Sequence, residues 1–323
     1  MRRRGLAVFC LAAAAVVAAA GCASASLKLS PPNELVRPEA PKDGSYRFAV
    51  VGDTQQMEPI DWILRGGPRE RAQVRERIEA LRPDFVLHAG DIVGNGGSVG
   101  QWEGFRREYS RVPLWPVLGN HDLFGGGNGA LAHYFETFPH VEKRRYYALR
   151  FAPIVFLMLD SNLDDDGWKA QSAWLEGELD RAEKDPLVRA IVLVTHHPPL
   201  SVQVGGGSAR VRSDLYDAAA RRSKFLLYLC GHHHAYQHIE EGGRHVFVTG
   251  GGGAPLLLLP FTKLRKGEKL VRSHTNHHFL EVRVTADGLT VAVHELARKG
   301  WRREWAVAEE IAIPWPGGAR KLF

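Results

Sequence analysis

Five apolar, β-branched runs in this chain each end in a short polar segment: Gly52-Asp53-Thr54-Gln55, Gly90-Asp91, Gly119-Asn120-His121-Asp122, Thr195-His196-His197-Pro198-Pro199 and Gly231-His232-His233-His234. Short apolar runs bounded by glycine and proline read as buried strands. Where such strands are neighbours in a sheet, their ends meet at one edge, and a site can be assembled there from residues far apart in sequence. Few folds satisfy this, because each run must be followed by a connection that brings the chain back to start the next.

The intervening sequence supplies such connections. Segment 69–81 places Val74, Ile78 and Leu81 at i, i+4 and i+7 with Pro83 beyond, and 168–184 puts Trp168, Leu175, Leu179 and Ala182 on one helical face. Val211, Leu215 and Ala219 mark a third, shorter helix. Strands are expected at 46–51, 84–88, 112–118, 146–151, 153–159, 190–194, 225–230 and 245–249. A hairpin is expected from 279–284 and 289–294 around Ala286-Asp287-Gly288. The stretches 56–68, 94–100, 124–134, 201–212 and 255–278 read as loops. Parallel units mixed with hairpins suggest an α/β fold, a sandwich of two sheets with outer helices.

A chain of 323 residues, 45% hydrophobic and 24% charged, has the composition of one large globular domain. Half of its formal charge of +6 resides in Arg2, Arg3 and Arg4, and the rest is too small to argue for nucleic-acid binding. Those arginines precede an apolar stretch at 6–20, the pattern of an export signal covering 1–21. Ala19-Ala20-Gly21-Cys22 resembles a bacterial lipoprotein box, so a lipidated Cys22 would tie the protein to a membrane of the cell envelope. Two alternatives are plain cleavage after Ala23-Ser24-Ala25 and a retained anchor, although a span needs about 20 apolar residues. Residues 22–45, with Pro31, Pro32, Pro38 and Pro41, read as an extended tether, 46–300 as the main domain and 301–323 as a C-terminal extension. Cys230 closes an apolar run and reads as a small buried hydrophobe.

The polar segments have the chemistry of a metal centre. Asp53 and Asp91 offer anionic oxygens, Asn120 a neutral carbonyl, and His196, His232 and His234 imidazole nitrogens. Mixed oxygen and nitrogen donors suit zinc, manganese or iron, and the lack of thiolates speaks against a structural zinc site. Histidines two apart can reach different ions of a close pair, and a carboxylate such as Asp91 can bridge them. Any one of these residues alone reads as a cap, a turn or an ordinary hydrogen-bonded histidine. Five ligand-bearing run ends together read as one shared site.

The ordered set of Gly-Asp, Gly-Asp, Gly-Asn-His-Asp, His-His-Pro-Pro and Gly231-His232-His233-His234-Ala235-Tyr236 is similar to the calcineurin-like metallophosphoesterase family, and its last segment to the purple acid phosphatase branch. The resemblance implies a four-layer αββα sandwich of two mixed sheets. It implies two divalent or mixed-valence ions, one held by Asp53, Asp91 and His234 with Gln55 contributing, the other by Asp91, Asn120, His196 and His232. His121 would be the general acid, Asp122 would orient its ring, and His197 would be structural or a supporting neighbour of the ligands. The implied reaction is hydrolysis of a small-molecule or surface phosphate ester by in-line attack of a hydroxide bridging the ions, with monoesters slightly favoured over diesters. An exported, non-catalytic binding or scaffold lipoprotein with a degenerate site is the reading from another class. Two departures from the family stand out. Gln55 occupies the place of a histidine, as a weaker neutral ligand or as a hydrogen-bonding neighbour. Gly94 occupies the place of the tyrosine whose phenolate colours iron-loaded purple acid phosphatases. Arg210, Arg212, Lys263, Arg265 and Lys266 read as solvated charges, and His274, His277 and His278 as functionless histidines or an accessory metal site.

Overall fold

The period of two in a strand sends successive apolar side chains to opposite faces, so a sheet apolar on both faces must be covered on both. The computed structural model describes residues 27–30, 34–36, 45–56, 67–257, 263–300 and 302–318, and shows how that cover is arranged. Among these residues one sheet has six strands, in spatial order β14 (Arg302–Pro314), β13 (Gly288–Lys299), β12 (His278–Val284), β2 (Tyr46–Val51), β3 (Phe85–His88) and β4 (Leu114–Pro116). The other has eight: β1 (Glu34–Val36), β5 (Tyr147–Phe151), β6 (Ile154–Met158), β7 (Ala190–Val194), β8 (Phe225–Cys230), β10 (Arg244–Thr249), β9 (Tyr236–Glu241) and β11 (Glu268–His274).

The two sheets pack face to face. Phe48 and Val50 of β2 share one core with Phe156 and Met158 of β6 and Val192 and Val194 of β7. Phe48 meets Phe156 edge to face at 5.2 Å between ring centroids. The alternate residues Val155, Leu157, Ile191 and Leu193 form a second core with Trp168, Leu175 and Leu179 of helix α5 (Asp165–Lys184). That helix starts at Asp164, whose carboxylate accepts the Gly167 N–H at 2.9 Å, and ends with Arg181 and Lys184 near its C-terminus, where their charge suits the helix dipole. Helices α1 (Pro68–Leu81) and α2 (Val99–Tyr109) bury Val74, Ile78, Trp102 and Phe105 against the smaller sheet. The αββα sandwich of two mixed sheets is therefore the fold of this chain.

Each sheet contains a run of parallel strands, β2-β3-β4 at one side of the smaller sheet and β6-β7-β8-β10 in the middle of the larger. Their C-terminal ends lie on one side of the sandwich, and the five polar segments sit there.

Several elements differ from the sequence reading. Helices α2 and α4 (Asn128–Thr137; α3 is the single turn Asn120–Leu123) begin in stretches read as glycine-rich loops. Trp102, Phe105 and Tyr109 carry helical spacing in α2, but Gly100 and Gly104 break the propensity signal. Strands β9 and β11 arise where neither hydropathy nor alternation marks them, because β11 is a largely exposed edge. The segment after 300 is no appendage to the domain: β14 pairs antiparallel with β13 from Arg302 to Pro314. Part of the expected tether is also sheet. Glu34–Val36 pairs parallel with β5, the Ser30 N–H donates to the Lys143 carbonyl, and Leu27 packs on the core. The leader 1–21 and Cys22 lie outside the described residues. No helix among the described residues is long and apolar enough to cross a membrane.

Among the described residues the three histidines considered as an accessory metal site form no three-donor cluster, although the His274 and His278 rings lie 5.2 Å apart between centroids. His277 Nδ1 donates to the Gly251 carbonyl, His278 Nδ1 to the Asn276 carbonyl at 2.8 Å, and His274 Nε2 lies 3.4 Å from Glu295. They have a different consequence. Burial, outweighing Glu70, pushes His277 down to about 4, and burial with the neighbouring His238 pushes His245 to about 4. Groups that titrate near 6.5 when unfolded and near 4 when folded stabilise the fold fully above pH 6.5, and that contribution is lost on acidification toward pH 4. The Tm is expected to fall across this window, and to fall by several degrees less in His277→Asn. Parallel Tm profiles for the two proteins would contradict the assignment.

Candidate metal centre

A polar segment that leaves a strand end and turns its side chain back toward a neighbouring strand needs an unusual backbone. Asp53, Asp91 and His232 have positive φ, at 58°, 54° and 69°. Left-handed conformations are uncommon outside glycine and cluster at functional sites. The glycines preceding the ligand candidates serve close approach: a Cβ on Gly231 would lie 2.4 Å from Asp53 Oδ2, and one on Gly119 would lie 2.2 Å from Asp91 Oδ1.

The side chains interlock as follows. Both carboxylate oxygens of Asp53, fully buried, accept the His232 N–H at 3.0 Å, and His234 Nε2 lies 3.4 Å from Oδ1. Asp91 Oδ1 accepts the His121 N–H at 2.8 Å, while Oδ2 is 3.3 Å from His196 Nε2 and 3.3 Å from Gln55 Nε2. His196 Nε2 is also 3.0 Å from Asn120 Oδ1 and 3.2 Å from His232 Nδ1. The other nitrogens of two of these rings are occupied: His196 Nδ1 donates to the Ala89 carbonyl at 2.9 Å, and His234 Nδ1 to the Pro255 carbonyl at 2.8 Å.

A carbonyl oxygen only accepts, so these contacts fix the protons of His196 and His234 on Nδ1 and turn an Nε2 lone pair toward the site. Around His196 Nε2 the neighbours Asp91 Oδ2 and Asn120 Oδ1 are themselves acceptors. Gln55 Oε1 is buried without a partner. Lone pairs crowded together at this range repel unless positive charge lies among them, so the residues present fit a bound cation. A proton on His196 Nε2 supplies that positive charge where a metal ion does not. Burial pushes His196 down, yet Asp91 outweighs it and raises the imidazole to about 9. Asp91 is pushed up by burial and pulled more strongly down by His196, to below the usual carboxylate range.

Two groups of donors have ligand atoms within 4.8 Å of one another: Asp53, Asp91 and His196, and His196, His197 and His232. These are two candidate clusters for a dinuclear site of divalent metals, with His196 between them. His197, expected to be structural or a supporting neighbour of the ligands, stands within the second group, and its Nδ1 is 2.8 Å from Ser161 Oγ. The ring of His233 points elsewhere, its Nδ1 lying 2.6 Å from Ser201 Oγ.

The expected role of Asp122 needs correction. Its carboxylate accepts the N–H groups of Ile92 and Val93 on one oxygen and of Gly119 on the other, at 2.8, 3.1 and 2.9 Å. It ties the loop after β3 to the loop after β4 and does not hold the His121 ring. His121 is oriented instead by the Gly94 carbonyl, 2.9 Å from its Nδ1. Gly94 has no room for the tyrosine that purple acid phosphatases carry there, since a Cβ would lie 2.1 Å from the Gln56 carbonyl oxygen.

Two features lay beyond sequence reasoning. His88 is buried beneath Asp91 with its Nε2 2.9 Å from Thr54 Oγ1, which bonds onward to the Ile92 carbonyl. The carbonyls that fix the histidine tautomers, at Ala89, Gly94 and Pro255, have no sequence signal at all. Arg210 pairs with Asp165 at the surface as expected, whereas Arg212, its side chain only 15% exposed, is held by Asp217, Glu241 and Glu268 and is not the solvated charge expected of it.

Gln55 sits where an imidazole would add a stronger donor. Gln55→His is expected to tighten binding of one of two manganese ions, on the order of tenfold in a metal titration. An unchanged affinity would show that the Gln55 amide serves only as a neighbour of Asp91 and His234.

Comparison with known proteins places this geometry. The profile of the calcineurin-like phosphoesterase family matches residues 46–236. Purple acid phosphatase 4 of Arabidopsis thaliana is 24% identical over 287 residues, covering 79% of this chain and 81% of its own. Tartrate-resistant acid phosphatase type 5 of Mus musculus is 22% identical over 247 residues, 65% of this chain and 72% of its own. The solved purple acid phosphatase from yellow lupin (Lupinus luteus) seeds superposes with a TM-score of 0.68 at 17% identity, over 84% of this chain and 54% of that one, a likeness of fold alone.

Proposed function

Because the chain belongs to the calcineurin-like phosphoesterase family and is a metal-dependent hydrolase of phosphate esters, we propose that it is an exported phosphomonoesterase. The carrying observation is the convergence of His196 Nε2, Asp91 Oδ2, Asn120 Oδ1 and His232 Nδ1, an arrangement that calls for a cation. In this reading Asp53, Asp91 and His234 hold one ion with Gln55 beside it, and Asp91, Asn120, His196 and His232 hold the other. Manganese, zinc and iron all suit these donors. Such a pair of ions acidifies water, orients the phosphate and offsets charge on the attacking and leaving oxygens.

The chain's own residues supply the rest. Asp53 and Asp91 are held by backbone N–H groups, so their oxygens are fixed before substrate arrives. His121, half-buried at the mouth of the site, carries a proton on Nδ1 against the Gly94 carbonyl. Its Nε2 is then the nitrogen that exchanges a proton, and it gives that proton to the departing alkoxide. Similarity to acid phosphatases supports monoesters as substrates.

Export is supported by the arginines and apolar stretch at the N-terminus, with 1–21 removed and Cys22 lipidated. Mass spectrometry of the mature N-terminus separates a lipid on Cys22 from cleavage after Ala25. For the activity, the protein reconstituted with manganese, zinc or iron is assayed on phosphomonoesters, cyclic nucleotides and glycerophosphodiesters, with Asp91→Asn as control. The expected result is fastest turnover of monoesters. Faster diester turnover would reassign the substrate class, and no turnover at full metal occupancy would make the protein a binding module.

A further inference from the structure

The surface beside His121 carries an aromatic ring that the fold does not use. Phe124 is 64% exposed, and among the described residues it is the one exposed phenylalanine, tyrosine or tryptophan. Its ring centroid lies 6.4 Å from that of His121. The backbone holding it is well anchored. The Phe124 N–H donates to the His121 carbonyl at 3.1 Å, the Gly97 N–H to the Phe124 carbonyl at 3.0 Å, and the Gly96 N–H to the His121 carbonyl at 3.0 Å. Gly125, with φ of +76°, packs so closely that a Cβ there would lie 2.2 Å from Asn95 Oδ1. The loop bearing His121 and Phe124 is thus stitched to the loop after β3 on both sides of the ring.

An apolar ring anchored in water gains free energy only when something covers it. The proton of His121 goes to the leaving oxygen, so the carbon skeleton of the leaving group lies on the His121 side of the phosphate. That places it next to Phe124. We propose that Phe124 forms a leaving-group subsite, and that the enzyme prefers phosphate esters whose leaving group carries a planar aromatic ring. This rests on the phosphoesterase reading of the same centre. The shared chemistry is a flat π-face one or two bonds beyond the ester oxygen, as in a phenolic ester, or farther out, as in a nucleoside monophosphate.

The test compares metal-loaded wild type with Phe124→Ala and Phe124→Tyr on 1-naphthyl phosphate, adenosine 5′-monophosphate and glycerol 2-phosphate. Binding of phenylphosphonate and methylphosphonate is measured alongside by calorimetry. Aromatic contact of this kind corresponds to roughly three- to tenfold in binding. Phe124→Ala is expected to raise KM for 1-naphthyl phosphate and Kd for phenylphosphonate by that factor. Glycerol 2-phosphate and methylphosphonate should shift less than twofold, and Phe124→Tyr should restore the wild-type values. A parallel loss with adenosine monophosphate identifies the nucleoside as a source, and a loss confined to the naphthyl ester identifies the phenolic one. Equal changes for ring-bearing and ring-free ligands, or no change, would overturn the subsite. If the wild type turns over none of the esters while phenylphosphonate still binds in a Phe124-dependent way, the hydrolytic reading fails and the subsite stands.

Discussion

Asp91→Asn is expected to lower kcat for phosphate-ester hydrolysis by roughly 10³-fold or more and to reduce bound metal from two ions per chain to one or none. The magnitude follows from the several kcal/mol of charge stabilisation such ions supply, each 1.4 kcal/mol being about tenfold in rate. The structural reason is that this carboxylate belongs to one donor cluster and reaches His196, the residue common to both. Its Oδ1 is held by the His121 N–H and its Oδ2 stands 3.3 Å from His196 Nε2. An asparagine of the same shape must place an NH₂ group either against a backbone donor or among the ring nitrogens, and it removes one of the two carboxylate charges of the Asp53, Asp91 and His196 cluster. The metal-free fold should survive, because the substitution leaves no cavity and His196, no longer held charged by Asp91, gives up its proton and stays buried as a neutral ring. Metal content by elemental analysis and kcat with excess metal are the readouts. Two retained ions, with turnover near wild type, would show that Asp91 is not the shared ligand.

His121→Ala is expected to keep both ions yet lose about 10² to 10⁴ in turnover of an alkyl phosphate, the usual range for a positioned proton donor. The loss should be much smaller for a nitrophenyl ester, whose leaving group departs without protonation. His121 is held at the centre by two bonds, its N–H to Asp91 Oδ1 and its Nδ1 to the Gly94 carbonyl. Neither commits Nε2. Equal losses on good and poor leaving groups would remove His121 from the acid role and leave it as a positioning residue.

How far the site could be read from sequence depends on what recorded each part of it. Asp53, Asp91, His196 and His232 were legible because each follows an apolar run, and burial of both sheet faces writes such runs plainly into a chain. Parallel strands then bring their ends together, so the cluster follows from the fold. Asp122 shows the limit. The family resemblance implies it as a partner for the His121 ring, whereas the three backbone N–H groups it accepts belong to loops whose approach no local pattern records. The Ala89, Gly94 and Pro255 carbonyls that set the histidine tautomers are equally silent, since every residue has a carbonyl. Edge strands were hidden for another reason. In β14 exposed and half-buried residues outnumber buried ones, and only pairing with β13 makes it a strand. Glu34–Val36, in a proline-rich stretch, is a strand solely because β5 offers an open edge.

The central claim is that side chains from five separate strand ends enclose two cations. Anomalous diffraction from a crystal of the protein reconstituted with manganese or zinc tests it most directly. The account predicts two peaks that share Asp91, one bounded by Asp53 and His234 and the other by Asn120, His196 and His232. A single peak away from Asp91, or none at saturating metal, would contradict it.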